Sequence, residues 1–489
     1  MSERILHIDG IALMPDHRIG GRWVDGPGQF DAVSPIDGRY LGGITLGTPE
    51  DAVEALQAAA MAFPAWALAG AAGRATALHW LADEIDARSA ALTMLECLDT
   101  GQRLDDLRGP QGLAAGTALL RQAADAAVAL EARPLVLEPE GCTVHHRPAG
   151  VCVVLLPAMM PLRTALWRLA GALAAGNTVV LKPSELAPLS LAGLADVVCA
   201  AEAAGMPAGV INIVHGPGYT VGAQMLADPR VARVAFTGSA ATARWVAQVA
   251  GSARVPVSLE AGGRGACVVL PGADLAAVED IAVRLLRAGT HDCAAVTRLV
   301  LPAALAEPLA DRLAARLPAL VVGDPRLPGT GIGPLPNDIV RARVMSMIDK
   351  AVLDGAQLRS GGQRHDAGEL YMQPTLLWGV KAGSLAAQYP LEAPVLSLQV
   401  VADEDEAVAL ANGVEGVVSA VCLGPADAAR RVAARLRGGQ VWVNGWGPRA
   451  GRAPWGGVGA AGVGRTGGAW GFDFQADVSV VYGGGEMAV

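Results

Sequence analysis

The chain has 489 residues, of which 52% are hydrophobic and 17% charged, and this composition indicates a folded globular protein. Its 38 basic and 47 acidic residues give a net charge of −9, which argues against nucleic acid or an anionic membrane as the main partner. Seven cysteines without a CxxC pair indicate neither a disulfide framework nor a zinc cluster, and they favour a reducing cytoplasm.

The first third of the chain predicts short strands followed by helices. Turn residues punctuate the first 45 residues, and a helix is expected to begin at Thr48 as the N-cap with Pro49 at its first position. Alanine-rich helices are predicted to about residue 128, and residues 135–148 favour an extended segment or a hairpin. The N-terminus lacks the apolar core of a signal peptide, and we expect no membrane segment.

From residue 150 the pattern changes to apolar strands that alternate with helices. Four such strands are GVCVVLLP, NTVVLKP, GVINIVHG and VARVAFTGS. The same alternation recurs in the region 262–450, where the predicted strands include ACVVLP, RLVLP and GGQVWVNG. Continuous apolar strands between helices are typical of a parallel sheet covered on both faces, so the sequence predicts two α/β lobes.

Two glycine-containing turns follow strands of the first predicted lobe. Gly218 lies in the turn GPGYTVG, and Gly238 stands between Thr237 and Ser239. Turns of this kind can place backbone N–H groups and a helix dipole against a phosphate. Neither is a GxGxxG fingerprint, so simple helix capping remains the alternative.

Lys182 lies at the carboxyl end of the predicted strand NTVVLKP, and Glu185 follows two residues after that segment. Ligands of open α/β sheets bind at the carboxyl ends of the strands, where the lysine can donate to a ribose or phosphate and the glutamate can accept from ribose hydroxyls. A solvated pair of turn charges is the alternative.

Glu260 and Cys293 are candidates for covalent catalysis, because a thiolate nucleophile and a carboxylate base form a complete set. A lone cysteine is otherwise a small buried apolar residue, and sequence spacing does not show that the two side chains meet. His291, two residues before the cysteine, is expected to be a solvated or capping histidine.

Nine features follow one another along the chain: AVSPIDGRYLGGI, LECLDTGQ, LAAGNTVVLKPSE, AGMPAGVINIVHG, VAFTGS, VSLEAGGRG, Cys293 five residues before Arg298, GGQVWVN and PWGGVGAAGVGRTGG. In these features and their order the chain resembles the aldehyde dehydrogenase superfamily along nearly its whole length. The resemblance implies an α/β fold with a Rossmann-like cofactor lobe, a catalytic lobe and a small oligomerisation hairpin. The implied domains are an NAD-binding domain (1–126 and 149–261), a catalytic domain (262–455) and oligomerisation elements (127–148 and 470–489).

The resemblance also implies a cofactor site for NAD. By similarity, Lys182 and Glu185 hold the adenosine ribose, and Ser239 lies under the pyrophosphate, with Gly238 and Gly218 in the adjoining turns. A glutamate at this position favours NAD over NADP because it would repel a 2′-phosphate.

By the same resemblance, Cys293 matches the nucleophile that attacks an aldehyde, and Glu260 matches the base that activates water to hydrolyse the thioester. The expected product is a carboxylic acid. The implied partners are an aldehyde and further copies of the chain in a homodimer or homotetramer, with no metal, nucleic acid or membrane.

Several positions depart from the family pattern, among them three that the family uses for binding and catalysis. Met159 replaces an asparagine that helps bind the oxyanion, and Pro390 and Glu392 replace the glutamate and phenylalanine of a nicotinamide-ribose clamp. The sequence therefore leaves two hypotheses: a divergent NAD-dependent aldehyde dehydrogenase, or a catalytically impaired member that acts as a binding or assembly subunit. Arg449 and Arg452 fall near the expected substrate loop, where they meet either a substrate carboxylate or solvent.

Overall fold

The computed structural model describes residues 4–132, 135–137, 142–447 and 451–482. Short strands and then long helices form the first part of the chain, as the sequence predicts. These elements are β1 (Leu6–Ile8), β2 (Ile11–Leu13), β3 (His17–Ile19), β4 (Arg22–Val24), β5 (Gln29–Val33), β6 (Tyr40–Thr45), α1 (Pro49–Leu68), α2 (Gly70–Ala87), α3 (Ser89–Thr100), α4 (Leu104–Arg108) and α5 (Leu113–Ala132). At the start of α1, Thr48 and Asp51 each bind the other's backbone N–H, which satisfies two donors of the first turn.

Strands and helices then alternate through the first lobe. These elements are β7 (Leu135–Leu137), β8 (Cys142–Pro148), β9 (Val151–Leu155), α6 (Pro161–Ala174), β10 (Thr178–Lys182), α7 (Leu189–Ala203), β11 (Ile211–Ile213), α8 (Ala223–Ala227), β12 (Val231–Gly238), α9 (Ala240–Ser252) and β13 (Val257–Ala261). A π-helical turn, Gly218–Gly222, leads into α8.

The second lobe and the last segment complete the fold. Their elements are β14 (Cys267–Val269), α10 (Leu275–Ala288), β15 (Arg298–Pro302), α11 (Ala303–Arg316), α12 (Asp338–Leu353), β16 (Gln357–Ser360), β17 (Thr375–Trp378), α13 (Leu385–Gln388), β18 (Val395–Val401), α14 (Glu404–Asn412), β19 (Gly416–Val417), β20 (Ser419–Leu423), α15 (Ala426–Ala433), β21 (Gln440–Val443), β22 (Val458–Gly459), β23 (Gly462–Val463), α16 (Gly468–Gln475) and β24 (Ala476–Tyr482). A short 3₁₀ helix, Leu317–Ala319, follows α11.

The first large sheet has the strand order β23-β13-β12-β9-β10-β11-β3-β4. Its five central strands, from β13 to β11, are parallel, whereas β23 and β3 add antiparallel at the two ends of this set. From β9 the chain adds β10 and β11 on one side and then β12 and β13 on the other. This reversal of strand order is the place where ligands bind in open α/β sheets.

The second large sheet has the order β16-β17-β18-β15-β14-β20-β21, with only β16 antiparallel. Apolar side chains bury its central strands, as the continuous hydrophobic runs predict. The two-lobed α/β fold expected from the sequence is confirmed. The domain boundaries stay predictions, and β23, which joins the first sheet, comes from residues that those boundaries left unassigned.

A small third sheet has the order β24-β8-β7. Strands β7 and β8 pair antiparallel, and the residues between them lie outside the described part of the chain. Strand β24 pairs antiparallel with β8 over seven residues and forms one edge of the sheet.

Within the described ranges, no single helix is long and apolar enough to cross a membrane, although α1 and α2 would pass together as a pair bent by 117°. Nor do those residues place three His, Cys, Asp or Glu side chains where they would hold a metal ion.

Two buried carboxylates on α3 cap the helices that follow the central strands. Glu96 accepts a hydrogen bond from the backbone N–H of Leu162 at the start of α6 (3.2 Å), and Asp99 accepts one from Leu189 at the start of α7 (2.7 Å). Burial raises the pKa of Glu96 to about 7 and raises that of Asp99, while the N–H bonds oppose the change. One helix thereby fixes the positions of two others.

The raised pKa of Glu96 predicts a specific pH dependence of stability. A carboxyl that binds its proton more tightly when folded contributes stability that is fully present below its unfolded pKa and is lost as pH rises through about 7. Relative to Glu96→Gln, which keeps the acceptor but cannot ionise, the wild type should lose on the order of 3 kcal/mol of unfolding free energy between pH 4 and 8. Urea unfolding at several pH values measures this, with the exposed Glu415→Gln as control. A difference between wild type and Glu96→Gln that does not change with pH would contradict the assignment.

Candidate active site

The carboxyl ends of four adjacent strands define one edge of the first sheet. The register places Leu155 of β9 opposite both Lys182 of β10 and Phe236 of β12. On the far side of β12, Thr237 is opposite Glu260 of β13. The residues that follow these positions therefore meet at one edge of the sheet.

The turn after β9 carries Met159 and leads into α6. Met160, the residue before the helix, has a φ of +48°, a left-handed conformation that non-glycine residues rarely adopt and that often marks a functional turn. Met159 lines a pocket of about 50 Å³ together with Glu260, Cys293 and Gly238. Its thioether cannot donate a hydrogen bond, so the side chain that faces this pocket offers no donor to an oxyanion.

Cys293 reaches the pocket from the second lobe. It lies in the segment between α10 and β15, in a turn where Asp292 Oδ1 accepts a hydrogen bond from the backbone N–H of Ala294 (2.9 Å). Its side chain is half-buried, and Sγ lies 3.7 Å from Oε1 of Glu260. The nucleophile and the base that the sequence proposed as a pair are thus brought together by the packing of the two lobes.

Glu260 is 7% exposed and is held by donors from two other segments. The indole Nε1 of Trp455 donates to Oε1 (2.6 Å), and Nη2 of Arg168 donates to Oε2 (3.3 Å). A buried carboxylate is costly unless it is paired, and these two donors supply the pairing. The arrangement holds Glu260 as an acceptor beside the thiol.

Arg168 is a site residue that the sequence reasoning missed. This fully buried guanidinium also binds Ser258 Oγ (2.9 Å) and Thr237 Oγ1 (3.0 Å), which fix its position. Burial lowers the pKa of Arg168, and the charges of Glu260 and Cys293 oppose that change. The sequence feature that could have revealed Arg168 is that it is the one charged residue within the apolar helical segment TALWRLAGALAAG.

Lys182 is 4% exposed, so the alternative of a solvated turn charge is wrong for this lysine. Its Nζ donates to the carbonyl of Gly216 (2.7 Å) and to Oε2 of Glu185 (3.3 Å). Burial lowers the pKa of Lys182, and the Glu185 carboxylate opposes the change. The ammonium group therefore ties the end of β10 to the glycine turn after β11.

The two glycine turns lie at the same edge of the sheet. Ser239 is the N-cap of the 13-residue helix α9, and its Oγ accepts from the backbone N–H of Thr242 (3.2 Å). A Cβ at Gly238 would lie 2.5 Å from the Phe236 ring, whereas one at Gly218 would meet open space. The residue that caps α9 is therefore Ser239. The first turn of α9 begins next to Gly238, which lines the pocket.

The sequence predicts a solvated or capping histidine at position 291. His291 is only 8% exposed, so the prediction of a solvated ring is wrong. It lines the Cys293 pocket, and its Nε2 is buried without a partner among the described residues. Burial, together with the charge of Arg103, lowers the pKa of His291 to about 3, so the ring is neutral at physiological pH. The burial of α10 and the turn after it, which sequence spacing does not reveal, explains the error.

Pro390 and Glu392 lie next to the strand end that carries Glu260. A Cβ at Gly262 would be 3.3 Å from Pro390 Cγ and 3.8 Å from Glu392 Oε1. Glu392 has a φ of +54° and forms an ion pair with Arg343. The two residues thus occupy the rim of the site with a chemistry that differs from the expected ribose clamp.

Of the two arginines in the expected substrate loop, Arg449 lies outside the described residues. Arg452 is exposed and lines a cavity of about 800 Å³ between α5, α6 and α16. Neither Cys293 nor Glu260 lines that cavity, although Trp167 borders both it and the Cys293 pocket. This cavity of about 800 Å³ is therefore distinct from the pocket that contains the candidate nucleophile.

Comparison with known proteins identifies the class. Residues 23–481 match the aldehyde dehydrogenase family, and the chain belongs to that family. It is 33% identical over 482 residues to a 2-hydroxymuconic semialdehyde dehydrogenase of Pseudomonas sp. (strain CF600), with 94% of this chain and 98% of the relative covered.

Solved structures agree with this assignment. Betaine aldehyde dehydrogenase from Staphylococcus aureus in complex with NAD+ is 28% identical, with a TM-score of 0.89 and coverage of 96% of this chain and 94% of that chain. A mutant indole-3-acetaldehyde dehydrogenase of P. syringae in complex with NAD+ is 30% identical, with a TM-score of 0.91 and 97% of each chain covered.

Cys293 should react first with a thiol reagent. Burial raises the pKa of Cys97, Cys152 and Cys422 to about 12, so these thiols are both inaccessible and protonated. Mild iodoacetamide treatment followed by peptide mapping should find Cys293 alkylated ahead of the half-buried Cys199, which serves as the internal comparison. Alkylation of Cys199 ahead of Cys293 would contradict the assignment of the nucleophile.

Proposed function

We propose that the protein oxidises an aldehyde to a carboxylic acid with NAD+, through a covalent intermediate on Cys293. The observation that carries the proposal is the 3.7 Å approach of Cys293 Sγ to Glu260 Oε1 at the sheet edge that also holds Lys182. Membership of the aldehyde dehydrogenase family and the NAD+ complexes of its similar structures support the proposal.

The residues at the sheet edge fit a dinucleotide. Glu185 offers an acceptor for ribose hydroxyls, and Lys182 would donate to a ribose in exchange for its long bond to Glu185 (3.3 Å). The N-terminus of α9 at Ser239 offers backbone donors and a positive dipole to a pyrophosphate. The open space beside Gly218 leaves room for the ligand. Bound there, NAD+ would supply the hydride acceptor that converts a thiohemiacetal into a thioester.

The first role of the protein is to make a nucleophile. Glu260 Oε1, which faces Sγ, accepts the thiol proton as the thiolate forms a carbon–sulfur bond to the aldehyde carbon. The carbonyl oxygen becomes an oxyanion at this step. Because Met159 brings no donor, stabilisation of that charge depends on other groups, and loss of one such donor typically costs about 10²–10³ in rate.

The second role is hydrolysis of the thioester. Glu260 first releases to solvent the proton that it took from the Cys293 thiol. It then removes a proton from a water molecule, and the resulting hydroxide adds to the thioester carbon. The carbon–sulfur bond breaks, which releases the acid and regenerates the thiolate. Trp455 and Arg168 hold the carboxylate in place for this step, because each occupies a different oxygen.

A catalytically impaired binding subunit is the second candidate. The observations that favour it are Met159 in the wall of the pocket and Pro390 and Glu392 beside Gly262, where the resemblance implies an oxyanion donor and a ribose clamp. Against it stands the intact pair of Cys293 and Glu260, which a binding subunit does not need.

The activity test uses the purified protein, NAD+ and an aldehyde panel, with NADH absorbance as the readout. We expect turnover in the wild type, none in Cys293→Ala, and in Glu260→Gln NADH formation slowed by about 10²–10⁴-fold, because thiol deprotonation and thioester hydrolysis both lose their base. Binding of NAD+ without any NADH formation by the wild type would instead support the impaired subunit.

Glu185 should make the protein prefer NAD+ to NADP+. Its carboxylate, bound to Lys182, would lie against a 2′-phosphate, and like charges repel. Calorimetry should show NAD+ binding at least about tenfold tighter, equivalent to about 1.4 kcal/mol, and Glu185→Gln should reduce that ratio whereas Glu415→Gln should not. Tighter binding of NADP+ to the wild type would refute this role of Glu185.

We also propose that the protein is a cytoplasmic homodimer or homotetramer. Support for assembly comes from β24, an edge strand that exposes the side chains of Val478, Val480 and Tyr482. Exposed apolar side chains on an unpaired strand edge favour association with another chain.

A further inference from the structure

A cavity of about 350 Å³ adjoins the Cys293 pocket. The two share four lining residues, Met160, Arg163, His291 and Asp292, so a molecule in the larger cavity can extend toward the nucleophile. Because the smaller pocket holds the reacting groups, the larger one is placed to receive the remainder of a substrate.

The wall of this larger cavity is rich in arginine. Four arginines line it against three aspartates: Arg103, Arg163, Arg284 and Arg287, with Asp105, Asp106 and Asp292. Asp106 is bound to Arg103, and Asp292 caps the backbone N–H of Ala294. Arg163 donates to the backbone carbonyl of Gln111 (3.0 Å). The wall therefore carries one more positive than negative charge, although the charges of Asp105 and Asp106 also act on Arg287 of α10.

Arg284 and Arg287 stand three residues apart, on one face of α10. Nη2 of Arg284 donates to the carbonyl of Trp446 (2.8 Å), and Nε of Arg287 donates to that of Gly331 (3.2 Å). Neither guanidinium forms an ion pair within the described part of the chain. Each carbonyl bond uses one of the five N–H groups of its guanidinium, so further donors remain for a ligand.

His291 provides a second polar group at the junction of the two cavities. Its buried Nε2 has no partner among the described residues, and the ring is neutral. A buried polar atom without a partner is unfavourable, and a polar substrate that spans both cavities would satisfy it.

Resting on the proposed function, we infer that the substrate is an anionic aldehyde, whose carboxylate binds Arg284 and Arg287 while its aldehyde carbon reaches Cys293. Guanidinium groups match a carboxylate in geometry as well as in charge. A neutral aldehyde of equal length would leave the excess positive charge of the cavity wall unbalanced. The site therefore selects for a carboxylate at the end of the substrate remote from the aldehyde.

The kinetic test compares 5-oxopentanoate with pentanal, which have the same chain length and differ in the carboxylate. We expect the wild-type kcat/KM to be at least tenfold higher for 5-oxopentanoate. Arg287→Gln and Arg284→Gln should each lower the ratio of the two kcat/KM values by about 10–100-fold, as loss of a charged hydrogen bond does. Arg430→Gln, on the exposed face of α15, should leave the ratio unchanged.

A binding test separates this inference from the proposed function, because it requires no turnover. Glutarate, a dicarboxylate without an aldehyde, should bind the wild type in calorimetry and should bind Arg287→Gln at least tenfold more weakly, with circular dichroism confirming that the variant is folded. Equal kcat/KM for the two aldehydes, or glutarate binding that neither arginine substitution weakens, would overturn the anion site. Absence of oxidation with every aldehyde would overturn the proposed function, and the glutarate titration would then decide the anion site by itself.

Discussion

The active-site geometry depends on the pairing of one buried carboxylate. Glu260 projects from the first sheet, and its two oxygens bind Arg168 from α6, Trp455 from the last segment of the chain and the thiol of Cys293 from the second lobe. A carboxylate this deeply buried is stable only when its acceptor sites are filled, so loss of Trp455 or Cys293 would leave an unfilled acceptor and loss of Arg168 would leave an uncompensated charge. The electrostatic requirement of Glu260 thus holds four separate segments of the chain around one small pocket.

The same sheet edge joins the cofactor residues to the reacting groups. Strand β9 lies between β10, which ends at Lys182, and β12, which ends beside Ser239, so the turn with Met159 stands between the two halves of the proposed cofactor site. Helix α3 reinforces this frame, because Glu96 and Asp99 bind the first turns of the helices that follow β9 and β10. The reacting groups and the proposed cofactor residues are therefore both held by the strand ends of the first sheet and by α3. This shared frame fixes the distance between them.

Local signals account for what could be predicted from the sequence. Apolar runs bounded by glycine turns were enough to predict the strands of both lobes. The segments around Lys182, Glu260 and Cys293 were enough to identify the resemblance to the family. Arg168 and Trp455 escaped as partners of Glu260, because they lie 92 and 195 residues away from it and only folding brings them together. The solvated state expected for His291 was wrong for a similar reason: burial is a property of the packed second lobe and leaves no trace in the residues on either side.

The pairing of β23 with β13 has a consequence for how the chain folds. Leu259 is opposite Val463, more than 200 residues later, and the whole second sheet lies between them in the sequence. The first lobe therefore cannot complete its hydrogen bonding at this edge during synthesis until the second lobe has emerged. Contacts so distant in sequence slow folding, and this one makes completion of the first sheet wait for a strand that lies after the whole second sheet.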